Sequence, residues 1–148
     1  MRAGTGRHAG TAGLVERARR ARARLDPADP VCETLEPLIT QGSGLGIDEA
    51  MRLARPVFDH LSAWPRPDAR RRADTHLNED REVRRALTDR SARGWLATTT
   101  ALQALEMGPG TPMARAIAAA AVALSRGEPE GLDWLVAAVR LSRSPAPQ

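Results

Sequence analysis

The sequence predicts an all-α fold, a single-domain bundle of six to seven helices around an Ala-rich central helix. Three observations carry that expectation. Apolar residues recur at helical spacing of three and four in segment after segment. Phe58 and three tryptophans are the only aromatics, with no tyrosine, so the core must be built from Leu, Val, Ile and Ala, which suits close helix packing better than a sheet. No run of residues reads as a strand. A chain of 148 residues suits one core, and 42% hydrophobic residues with a net charge of +4 describe a globular rather than disordered protein.

The expected domain spans 11–143, between a flexible leader over 1–10 and a flexible tail over 144–148. The first helix is expected over 11–25, where Leu14, Ala18, Ala21 and Leu25 form a thin stripe. Asp26-Pro27 ends it. Asp29-Pro30 is an N-cap and first-position pair for a second helix carrying Val31, Leu35, Leu38 and Ile39. Pro37 removes a backbone donor and is expected to kink or divide that helix near Glu36.

Gly42-Ser43-Gly44-Leu45-Gly46 reads as a connection, with Asp48 expected to cap a third helix bearing Met51, Ala54, Val57, Phe58 and Leu61. Pro56 interrupts this one too. Trp64-Pro65-Arg66-Pro67 makes a corner, followed by a short fourth helix over 68–77 and a fifth capped by Asn78 and spanning the bundle. Val83, Leu87, Ser91, Trp95, Thr98, Leu102 and Leu105 fit one continuous helical face. Gly94 either breaks that helix or admits a neighbouring backbone, and both readings stay open. Gly108-Pro109-Gly110 stops it. Thr111-Pro112 opens the central helix, apolar nearly all round until Gly127, and Pro129 opens the last, whose inward face is Leu132, Leu135, Val136 and Val139.

All 22 basic residues are arginine, a bias that a G- and C-rich genome produces without selection for phosphate binding. The densest cluster, Arg17, Arg19, Arg20, Arg22 and Arg24, is the candidate for reading an anionic surface. Alternating with Ala, it also makes a solvated helix face, and no aromatic interleaves it as a single-strand platform requires. The groups Arg70-Arg71-Arg72 and Arg81/Arg84/Arg85 are interspersed with acids that can pair locally. No helix-turn-helix, zinc-finger or RNP pattern is present.

The glycine-rich connection lacks the preceding strand and the lysine of a phosphate-binding loop. His8 falls in the leader. His60 and His76 have no ligand spacing, so no metal or other cofactor is expected. Cys32 excludes an intrachain disulfide; near a helix start it is a nucleophile candidate, or else a small buried hydrophobe. Mid-helix, the hydroxyls of Thr98, Thr99 and Thr100 can return hydrogen bonds to preceding carbonyls. Trp64 and Trp134, beside prolines or a helix end, are candidate binding anchors, with packing into the core the favoured alternative.

No secretory signal or membrane span is read, so a cytoplasmic location with no membrane partner is expected. The sequence favours a non-catalytic interaction module, an adaptor or regulatory subunit, binding another protein or a second copy. Nucleic-acid binding through the Arg17 to Arg24 cluster is the alternative. A small cofactor-free enzyme acting on a hydrophobic substrate through His60 or His76 is the third reading.

Overall fold

The computed structural model describes residues 2–41, 44–67, 89–128 and 130–143, and these are helical with no strand among the described residues. Six helices appear among them: α1 (Arg2–Arg24), α2 (Val31–Gln41), α3 (Ile47–Ser62), α4 (Arg90–Met107), α5 (Pro112–Ser125) and α6 (Glu130–Arg143). The all-α class expected from periodicity is therefore what the chain adopts. The helix expected over 68–77, the Asn78 cap, His76, the two arginine groups between them, Ser43, and the tail from Ser144 lie outside the described residues.

Local chemistry explains the boundaries. Asp29 caps α2 as its spacing indicated, its Oδ1 accepting from the Val31 N–H at 3.0 Å. Thr111 caps α5, its Oγ1 accepting from the Ala114 N–H at 3.1 Å with Pro112 in the first turn. Gly127, at φ +71°, closes α5 with a two-bond Schellman cap: Gly127 N–H to the Leu124 carbonyl at 3.0 Å and Glu128 N–H to that of Ala123 at 2.9 Å. Gly108, at φ +81°, ends α4 with one bond back to the Ala104 carbonyl at 2.9 Å.

Some expected boundaries are corrected, and of the open alternatives at Pro37 and Gly94 a division of the helix is removed. Helix α1 begins at Arg2, earlier than the start expected at Thr11. The cap of α3 is Gly46, with no side-chain bond, and Asp48 sits in the first turn, where its charge still favours the helix dipole. Pro37 does not divide α2, and Pro56 does not divide α3. Helix α4 runs through Gly94 without a break from Arg90, with Asp89 at its start accepting from the Ala92 N–H at 3.3 Å.

The packing follows from these elements. Helix α4 lies against α1, α3 and α5, and α5 lies against α3, α4 and α6, while α2 bridges α1 and α3. Ten of the fourteen residues of α5 are buried, six of them alanines in the run around Ile117 plus Ala114, so the neighbouring backbones come close. On α4, Thr98, Leu102 and Leu105 of the expected ladder are buried, joined by Ala97, Ala101 and Ala104. The Thr98 hydroxyl donates to the Gly94 carbonyl at 2.8 Å and that of Thr99 to Trp95 at 3.0 Å, so both are satisfied within the helix.

The inward face of α6 is turned from the expected one. Leu132 and Val136 are buried, but Val139 is 37% exposed, and Trp134 and Ala138 take the inner positions. Gly131 sets this orientation. A methyl group there would lie 2.8 Å from Leu124 Cγ and 3.1 Å from the Leu124 backbone nitrogen, so the first turn of α6 rests directly on α5.

Two outcomes are expected. Gly131→Ala lowers stability by about 1–2 kcal/mol in chemical denaturation, because the overpacking outweighs the gain in helix propensity. Thr111→Ala costs about 1 kcal/mol in the same measurement, through loss of the α5 cap.

Candidate functional site

The arginines of α1 do not converge. Five of them within eight positions are spread around the helix by its 100° step, and two meet carboxylates: Arg22 pairs with Glu36 of α2, and Arg19 lies 3.8 Å from Glu16. Arg19, Arg20 and Arg24 are exposed, and Arg17 and Arg22 are half-buried. The pairs are largely solvated, with the Arg19 and Glu16 side chains each 57% exposed, so they contribute little to stability.

The other sequence candidates are dispersed. Trp134 is a core residue, only 4% exposed, with the Arg66 guanidinium 5.9 Å from its ring centre. Trp64 is half-buried and meets His60 edge to face, the ring centres 6.2 Å apart. Cys32 is half-buried and its thiol donates to the Asp26 carbonyl at 3.3 Å, a structural use of the group. Among the described residues no three His, Cys, Asp or Glu side chains are grouped as a metal site, and none of the helices is long and apolar enough to cross a membrane.

A different set of arginines does come together. A cleft of about 790 Å³ opens where α3 passes the start of α4 and the end of α5. Helix α3 lines one wall with Arg52 and Arg55, flanked by Asp48 and Asp59. Arg90 and Arg93, three residues apart on one face of α4, line the opposite wall, and Arg126 reaches in from the cap of α5. Phe58, Met51 and Val122 supply apolar surface below them.

Helix geometry explains the electrostatics. Asp48 and Arg52, and likewise Arg55 and Asp59, are four apart on α3, so each acid offsets an arginine on its own face. Among the lining residues the excess of three positive charges therefore falls on Arg90, Arg93 and Arg126, with Asp89 standing beside the first two at the start of α4. None of the five cleft arginines is within ion-pairing distance of a carboxylate among the described residues. Gly127 positions one of them: the Arg93 guanidinium carbon lies 3.5 Å from where a β-carbon on Gly127 would stand, so Arg93 crosses from α4 onto the cap of α5.

Sequence reasoning missed this site because its members lie far apart, from Asp48 to Arg126, and none sits in a dense cluster. The available signal was weak: Arg90 and Arg93 share a helical face, and Arg126-Gly127 ends a helix.

No family model matches the chain, and no curated protein or solved structure is found to be similar to it.

Gly127→Val is expected to cost about 1–2 kcal/mol, measured by urea denaturation, because φ +71° is disfavoured for a side chain with a β-carbon.

Proposed function

We propose that this chain is a non-catalytic helical interaction module that receives an anionic segment of a partner protein in the arginine-lined cleft between α3, α4 and α5. One observation carries the reading. Five guanidinium groups from three helices line a single concavity without carboxylate partners among the described residues, a concentration of forked donors suited to an oxyanion. Guanidinium is weakly hydrated and matches carboxylate or phosphate oxygens two at a time, so this arrangement favours an oxyanion-bearing partner over a neutral one. Met51, partly exposed at the cleft, adds apolar contact for side chains beside the anion.

The arginines of α1 support the nucleic-acid alternative less well, since they diverge around the helix and two are already paired.

Fluorescence anisotropy with a labelled Glu-rich peptide tests the reading. Binding is expected to weaken severalfold as salt rises from about 50 to about 200 mM, where screening shortens the reach of the charges. Arg93→Gln is expected to abolish it and Arg20→Gln to leave it unchanged. Absence of binding to this peptide and to its phosphorylated counterpart alike, or equal loss in the two variants, would refute the cleft as the interaction surface.

A further inference from the structure

Within the interaction reading above, on which this step rests, we infer that the group seated in the cleft is a phosphomonoester, carried on a phosphorylated side chain of the partner protein. The cleft's charge distribution separates this from binding of a run of carboxylates. Asp48 and Asp59 stand on the α3 wall and would oppose a row of acidic side chains laid along it. A single compact dianion seated at the start of α4 meets Arg90, Arg93 and Arg126, three arginines against the one acid that caps that helix, Asp89, whereas Arg52 and Arg55 are matched one for one by Asp48 and Asp59.

The stoichiometry of donors points the same way. A carboxylate has two oxygens and is filled by one bidentate guanidinium. A phosphomonoester carries close to two negative charges and three oxygens, enough to engage two or three guanidinium groups at once. Convergence of arginines from separate helices matches that demand and exceeds what one carboxylate can use. Arg93 is held ready for it: lying across the bare backbone of Gly127, it is brought beside Arg126 before any ligand arrives. The N-terminus of α4 is not the recognition element, since Asp89 already caps it, accepting from the Ala92 N–H.

The cleft's size and floor select what carries the phosphate. About 790 Å³ holds a few side chains of an extended segment, and the partly exposed Met51 gives residues next to the phosphate an apolar contact. Recognition of phosphorylated segments by grouped arginines uses this combination of charge and flanking contact. No aromatic face is offered for stacking of successive bases: Phe58 is only 7% exposed.

The test compares four probes by anisotropy on the full chain: degenerate peptides with a central phosphoserine, the same peptides with serine, the same with glutamate, and phenyl phosphate as an unlabelled competitor. The phosphoserine set is expected to bind about tenfold or more tighter than either other set, equivalent to about 1.4 kcal/mol. Arg93→Gln/Arg126→Gln should abolish that preference, and Arg90→Gln, an exposed position, should reduce it with the helical circular dichroism and melting temperature of the parent. Equal binding of the phosphoserine and glutamate sets would overturn the phosphate assignment while leaving the anionic-partner reading intact. Phenyl phosphate competing as well as the phosphopeptides would overturn the assignment to a partner protein in favour of a free phosphate ester. Failure of all probes to bind would overturn both, and retention of the preference in the double variant would remove the clamp.

Discussion

The close approach of α5 to its neighbours is the constraint on which the rest of this structure depends. With one phenylalanine and three tryptophans in 148 residues, the interior cannot be filled by large rings. It is filled by backbone drawn near backbone, through buried alanines on α4, α5 and α6 and through Gly131 seated on Leu124. Each alanine removes little apolar surface from water, so cohesion rests on many short-range dispersion contacts rather than on a few large anchors. Such a core is sensitive to added volume at the crossing points and more tolerant elsewhere.

The charged surface inherits this geometry. Because α4 and α5 are pressed together, the first turn of one stands beside the last turn of the other, and side chains 33 positions apart, Arg93 and Arg126, become neighbours. On α1 the same residue type produces no concentrated field, since the helical step points consecutive arginines away from one another. Composition supplied arginine everywhere; tertiary packing decided where it gathers.

Much of the fold was legible because it is written in short-range chemistry. Asp29-Pro30, Thr111-Pro112, Gly108 and Gly127 mark helix ends through bonds to groups within a few residues, and the stripes on α1, α2 and α3 follow from spacing alone. What escaped depends on contacts distant in sequence. Trp134 goes inward and Val139 outward because Gly131 fixes how α6 sits on α5, which no pattern within α6 reveals. The start of α1 at Arg2 lies ahead of its apolar stripe, which begins only at Leu14, so the spacing that reveals the helix does not mark where it begins. The cleft was invisible for the same reason as the rotation of α6: it joins α3, the start of α4 and the end of α5.

The complete absence of lysine gives this cleft a property that most basic surfaces lack. Acetylation and related acylations act on ε-amino groups, and none of the positive side chains around the cavity has one. Its charge is thus beyond the reach of the commonest enzymatic route for silencing a basic patch, and methylation of a guanidinium would block its paired donors without removing its charge. If the cleft receives an anionic partner as proposed, its occupancy would be governed from the other side, by whatever adds or removes negative charge on that partner.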